Sequence, residues 1–279
     1  MNARSALFDL YGDHLRSRGG QAPVAALVRL LAPLGVAAPA VRTAVSRMVR
    51  QEWLEPARLP GGPGYALTPR AVRWLDDAAA RIYRTRAAAW DGHWHLLVVT
   101  PPAGRPARER LRAGLGFLGY APLSEDTWLS PRPAPELADL LERAAVRADR
   151  FTARHGGDSL DLVRRAWDLD GLAAAYRRWT GQARRLFDGA GPAASAEESF
   201  AVRSRLVHEW RKFLFADPGL PRELLPADWP GDAAAALFDE AAATLAPGAA
   251  RFVDACLTAA APPAPRRPGA TASTPGGRR

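Results

Sequence analysis

Cysteine is nearly absent, Cys256 standing alone in 279 residues. No intramolecular disulfide can form, and a cysteine-rich metal site is excluded. Such a chain suits the cytoplasm. Lysine is as scarce, Lys212 being the only one, so the basic charge is almost wholly arginine. With abundant alanine this reads as genomic base composition, and arginine in place of lysine carries no functional weight. Long apolar runs are missing too: no stretch approaches the roughly 20 residues of a membrane span. Asp9 and Asp13 interrupt the opening MNARSALFDLYGDHL, where a secretory signal needs unbroken apolar sequence. The expectation is a cytoplasmic chain with no membrane partner.

What remains is ordinary globular composition, with 48% hydrophobic and 24% charged residues. The length suggests two or three compact domains. The net charge of +9 is unevenly placed. Residues 1–90 carry 13 Arg against six acids, residues 91–258 carry 21 Lys or Arg against 23 acids, and the tail from 259 adds four Arg. A basic N-terminal segment on a nearly neutral body fits a polyanion-binding module carried by something else.

Apolar periodicity divides the chain. Residues 3–18 predict a helix with Ala6, Leu7, Leu10 and Tyr11 on one face, and residues 23–34 a second with Leu27, Leu30 and Leu31 inward. Pro39 opens a third at its first position, where a missing N–H costs nothing. A hairpin follows across Gly61-Gly62-Pro63-Gly64, then a fourth helix from Thr68-Pro69 to about Arg86. Three helices and a hairpin make a winged helix-turn-helix, assigned to 1–87. Residues 88–158 read β-α-β-α-β, with strands at 93–100 and 150–155, an extended segment with a turn at Glu125-Asp126 over 120–130, and helices at 106–118 and 135–146: a ferredoxin-like α+β domain suited to dimerisation. Residues 159–258 are helical, and 259–279 have too few large apolar groups to fold. The fold class is therefore α+β, mostly helical.

The third helix contains VRTAVSRMVR, residues 41–50. At about 100° per residue, Val41, Ala44, Val45, Met48 and Val49 share one face. Arg42, Thr43, Ser46, Arg47 and Arg50 fill the other, with no acid until Glu52. A solvated face normally mixes signs. In a DNA major groove, Arg pairs bidentately with guanine, while hydroxyls and further arginines hold phosphates. This places a recognition helix there, with Arg58 of the hairpin as a contact to the adjacent backbone.

The segments VRTAVSRMVRQEWL, WDGHWHLLVV, RERLRAGLGFLGYAPLSEDTWLSPR, WDLDGLAAAY and HEWRKFLFADPGLPRELLPADWPG together resemble the PaaX family of bacterial transcriptional regulators, over about residues 4–240. The resemblance implies a homodimeric repressor of aromatic-acid catabolism, typified by the phenylacetate pathway. It would bind a double-stranded DNA operator and leave it when an acyl-CoA effector, such as phenylacetyl-CoA, binds. It implies no catalytic residue, metal or cofactor, and it matches no effector contact to a position here.

Other motifs point elsewhere. Gly114–Gly119 spells G-x-G-x-x-G, but it ends a helix and precedes a strand, the reverse of a dinucleotide site. The middle domain also resembles a small CRISPR adaptation nuclease, whose metal-binding aspartate lies near the end of the first strand. Here that strand ends Val98-Val99-Thr100-Pro101, without a carboxylate. An enzyme built on this domain, nuclease or acyl-CoA-directed, is the alternative function. His93 and His95 alternate on a strand without a third ligand, His208-Glu209 lacks a second zincin histidine, and His155 with Asp158-Ser159 has no nucleophile elbow. Trp167, Tyr176, Trp179, Trp210, Phe213 and Trp229 read as core, or partly as an effector pocket. Arg177, Arg178, Arg184, Arg185, Arg203, Arg205 and Arg211, interleaved with them, would meet its phosphates.

Overall fold

Asn2 starts the first helix by accepting the Ser5 N–H at 2.9 Å, and α1 runs Ala3–Asp9. It continues as a π-helix over Leu10–Leu15 and a 3-10 turn over Arg16–Arg18, stopped by Gly19 and Gly20 at φ +84° and +66°. The sequence predicts one regular helix here. The change of winding has a physical reason in the partners of this segment. Residues five apart point to different sides of an α-helix but come nearer to one face on a π-helix, whose bonds run i→i+5. Asp9 and His14 are five apart, and both meet α9 (Ala196–Trp210). The structure, a computed structural model, describes residues 1–82, 89–191 and 194–259. The predicted continuation of the fourth helix to Arg86 and the tail from 260 lie outside the described residues.

Strand β1 (Gln21–Pro23) leads into α2 (Val24–Leu31), whose Leu27, Leu30 and Leu31 are fully buried. A 3-10 turn, Ala32–Leu34, ends at left-handed Gly35, and α3 spans Ala38–Arg50. Strands β2 (Leu54–Leu59) and β3 (Gly62–Leu67) form the hairpin, and α4 is Pro69–Ile82. The sheet has three strands in the order β1-β3-β2, not the two that the sequence suggests. Close approach of β1 to β3 explains Gly64: a Cβ there would sit 2.6 Å from the Ala22 carbonyl oxygen.

The middle of the chain holds β4 (Trp94–Val99), α5 (Arg105–Phe117), β5 (Ala121–Pro122), β6 (Thr127–Ser130), α6 (Leu137–Arg143) and β7 (Ala148–Ala153). The antiparallel sheet is ordered β5-β6-β4-β7, the ferredoxin-like arrangement of a β-α-β-β-α-β unit. The extended segment at 120–130, with its turn at Glu125-Asp126, is the hairpin of β5 and β6. Leu97, Val99 and Trp128 pack with Leu111, Leu115, Leu137 and Leu141 of α5 and α6. Gly114 lets α6 approach, since a Cβ there would meet Leu140 at 2.6 Å. These glycines sit in or just after a helix that packs closely, and not at a helix N-terminus that binds phosphate.

Five further α-helices follow among the described residues: α7 (Ser159–Ala166), α8 (Leu169–Ala190), α9, α10 (Phe213–Ala216) and α11 (Gly231–Thr258). Their core is aromatic. Tyr176 stacks on Phe213 at 4.0 Å and Trp210 on Phe238 at 4.8 Å, with Trp179 and Trp229 alongside. Phe200 of α9 and Ala249, Val253 and Cys256 of α11 instead enter the core of the winged helix. The apolar face of the N-terminal helices is thus completed by residues nearly two hundred positions away.

Candidate nucleic-acid interface

The run Val24–Leu34 bends by 119° into α3, within the range expected between the two helices of a helix-turn-helix. Proline in the first turn of α3 and left-handed Gly35 before it fix where the helix begins. Val41, Ala44, Val45 and Met48 are buried, and Val49 is half-buried against the same core. Its far end is held by aromatics. Trp53 lies edge-on to Phe8 of α1 at 5.2 Å and to Trp74 of α4 at 5.3 Å.

Arg42, Thr43, Ser46, Arg47 and Arg50 are all exposed. Among the described residues none of these three guanidiniums has a carboxylate partner. Thr43 donates its hydroxyl back to the Pro39 carbonyl at 3.0 Å, leaving the oxygen's lone pairs outward as acceptors. The first acid after the helix, Glu52, is 3.5 Å from Arg70. Arg58 is exposed on β2, opposite Pro63 in the hairpin register. The helix therefore brings five of the six expected contact residues onto one strip, while Arg58 stands apart on the wing. Such a strip offers bidentate donors for base edges and point contacts for phosphates.

Behind this surface lies a layer of charge that the sequence reading did not single out. Arg203 of α9 grips both carboxylate oxygens of Asp13, at 2.9 and 2.7 Å, and also donates to the Ala242 carbonyl of α11. Asp9 is met by His208 Nδ1 at 2.7 Å and by the Arg211 guanidinium. Burial raises the Asp9 carboxyl above its ordinary value, opposed by the His208 hydrogen bond and the Arg211 charge. The signal was present as acids on the buried side of the first helix, but their partners are remote in sequence.

His14, 4% exposed, lies 3.3 Å from the Ser204 hydroxyl. Burial pushes its pKa down from 6.5 to about 4, although nearby Asp13 raises it. An unfolded chain takes up this proton near 6.5, so stability is whole above that pH and drains as pH falls toward 4. Between those limits the wild type is expected to lose about 3 kcal/mol more than His14→Gln, because each tenfold change in proton affinity is worth about 1.4 kcal/mol. Denaturant titrations at pH 7, 5.5 and 4 check this. Raised Asp9 acts with opposite sign in both proteins and cancels in the difference.

Most of the remaining sequence candidates have structural roles, while the buried His155 Nδ1 finds no hydrogen-bond partner among the described residues. His93 precedes β4, its backbone N–H donating to Asp91 and its ring accepting from Arg154 at 3.2 Å, while His95 is half-buried. Asp158 caps α7 through the Leu160 N–H. Tyr176, Trp179, Trp210, Phe213 and Trp229 are core. Of the interleaved arginines, Arg203 and Arg211 are consumed by Asp13 and Asp9, whereas Arg185 and Arg205 line a cleft. Among the described residues, no three His, Cys, Asp or Glu side chains are grouped so that they could hold a metal ion. No single helix described is long and apolar enough to cross a membrane.

Comparisons with known proteins agree along the chain. Family models match in order: PaaX-like protein over residues 2–71, PaaX protein central Cas2-like domain over 87–162, and PaaX-like protein C-terminal domain over 167–255. Transcriptional repressor PaaX of Escherichia coli (strain K12) is 32% identical over 267 residues, spanning 91% of this chain and 83% of that protein. A solved structure of an uncharacterized protein from Mycobacterium tuberculosis, 29% identical, aligns with a TM-score of 0.61 over 91% of this chain and 98% of that one. A winged helix with a cationic third helix, a ferredoxin-like centre and these matches lead to one conclusion: the chain belongs to the PaaX family of transcriptional regulators.

Proposed function

We propose that this chain is a cytoplasmic, homodimeric repressor of an aromatic-acid catabolic operon, of the phenylacetate type, and that an aryl-CoA thioester releases it from its operator. One observation carries the DNA-binding part. Arg42, Thr43, Ser46, Arg47 and Arg50 lie exposed on one helix whose opposite face is packed in the core. A rigidly backed, acid-free cationic strip is what entry into a major groove requires. The division of labour follows the chain: residues 1–87 read DNA with Arg58 on the backbone, 88–158 pair two copies, and 159–258 bind effector and brace the reader. That the E. coli relative is a transcriptional repressor supports the sign of regulation.

Release needs only that the effector bind more tightly to a dimer whose two reading helices no longer match the half-site spacing. The test is a gel shift on the DNA upstream of the protein's own and neighbouring genes. A discrete complex is expected at nanomolar protein, dissolved by phenylacetyl-CoA and not by free coenzyme A. Binding indifferent to duplex sequence and to every thioester would overturn the proposal.

A further inference from the structure

Among the described residues, two that are not glycine take up a left-handed backbone: Glu52, at φ +58°, and Ala145, at φ +51°. Each closes a helix. At the end of α3 the Trp53 N–H reaches back to the Met48 carbonyl and the Glu52 N–H to the Val49 carbonyl, both at 2.9 Å. At the end of α6 the Val146 and Ala145 N–H groups do the same to Leu141 and Glu142. This paired closure favours glycine at the left-handed position, where any other side chain is strained.

At Glu52 a second cost is added, because a carboxylate at a helix C-terminus meets the negative end of the helix dipole. The surroundings return little. The Glu52 side chain is 79% exposed and lies 3.5 Å from Arg70, itself 66% exposed, so the two form an open surface pair. The Glu52 carbonyl accepts the Thr68 hydroxyl at 2.7 Å, but glycine would keep that bond. Stability therefore favours glycine at this position, and the acid needs another reason.

Its place supplies one. Glu52 lies just beyond Arg50, at the far end of the face on which Arg42, Arg47 and Arg50 stand exposed without carboxylate partners among the described residues. Attraction of such a face to phosphates is the same for every duplex and supplies essentially all non-specific binding. A helix seated in the major groove meets base edges chiefly through its N-terminal part, which here carries Arg42 and Thr43. A helix lying loosely along the backbone instead presents its whole length to phosphates, the C-terminal end included. We infer that Glu52 is a specificity-determining residue, whose carboxylate repels backbone phosphate in loosely docked complexes and so penalises non-operator duplex more than operator. This is discrimination by a like charge set against the wrong partner. The inference deepens the proposed DNA reading by α3 and rests on it.

The experiment is anisotropy titration of the full-length protein with operator duplex and with random duplex of equal length, over a range of salt, paired with chemical denaturation. It compares wild type, Glu52→Gln, Glu52→Gly and the control Ala145→Gly. Glu52→Gln keeps a left-handed side chain and removes only the charge. It is expected to bind random duplex about threefold or more tightly than wild type, the scale of one exposed charge pair, with operator affinity within about twofold. Its binding to random duplex should also depend more steeply on salt. Glu52→Gly should match it on DNA and unfold at higher denaturant than wild type, since glycine relieves the strain. Ala145→Gly should gain stability in the same way and leave both DNA affinities unchanged. Equal tightening of Glu52→Gln on both duplexes, or none on either, would overturn the discriminating role and leave α3 as the reader. A Glu52→Gly variant less stable than wild type would show that folding itself retains the acid, and would also overturn it. If wild type does not prefer operator to random duplex, DNA reading by α3 falls and this inference with it.

Discussion

Arg47→Ala is expected to weaken operator binding by about 1–3 kcal/mol, five- to more than a hundredfold, and to relax base preference at one position of each half-site. The reason is geometric. Arg47 sits in the middle of the exposed strip of α3, one turn after Thr43 and one before Arg50, with no acid to hold it back. A guanidinium so placed can meet guanine O6 and N7 together, a contact that alanine cannot replace. Competition gel shifts against operators mutated base by base measure both effects. Arg58→Ala should differ in kind: a phosphate contact on the wing lowers affinity evenly across sequences and reduces the salt slope by about one. Folding should be untouched in both variants, since both side chains are exposed.

Arg203→Ala is expected to be the most destabilising of the polar substitutions considered, by about 3–5 kcal/mol, as for a buried ion pair that loses one partner. The Arg203 and Asp13 side chains are 14% and 13% exposed, and the guanidinium also satisfies a carbonyl of α11. Its loss strands the Asp13 carboxylate between the first helix and α9. Asp13→Asn should relieve part of that cost, so the double variant should lose less than the sum of the two single ones. By contrast Arg105–Glu109 on α5, with side chains 86% and 61% exposed, should contribute at most about 1 kcal/mol. Chemical denaturation of the variants and the double-mutant cycle decides the matter. Because the same contact braces the winged helix, Arg203→Ala should also open the N-terminal helices to hydrogen exchange sooner than the middle sheet.

The amphipathic third helix was legible in the sequence because its information is local. Burial on one face and cation on the other repeat every turn, and the structure buries Val41, Ala44, Val45 and Met48 as the period demands. The same holds for Ala6, Leu7, Leu10 and Tyr11, and for the strands and helices of the ferredoxin-like centre. Strand β1 was not legible: three residues have no period, and Gln21–Pro23 is a strand only because β3 pairs with it. Nor was the π-helix, which owes its winding to α9. Of the aromatics read as core or partly as an effector pocket, Tyr176, Trp179, Trp210, Phe213 and Trp229 are core, and Trp167 packs against it half-buried. What sequence could not do was sort the interleaved arginines, since Arg203 and Arg211 differ from Arg185 and Arg205 only in the carboxylates that a distant helix brings to them.

Contacts with α9 and α11 tie the two ends of the chain together. Phe200, Val253 and Cys256 finish the hydrophobic core under α3, and Asp9 and Asp13 fasten the first helix to α9. A regulator built this way cannot shift its C-terminal helices without disturbing the support of the cationic face of α3.

Whether α3 reads guanine in the major groove is tested most directly by replacing operator guanines one at a time with 7-deazaguanine, which removes the N7 acceptor and leaves Watson–Crick pairing intact. One such replacement in each half-site is expected to weaken wild-type binding and to leave the already weaker binding of Arg47→Ala unchanged. Equal sensitivity of both proteins at every guanine, or none at any, would contradict a guanine-reading role for this helix.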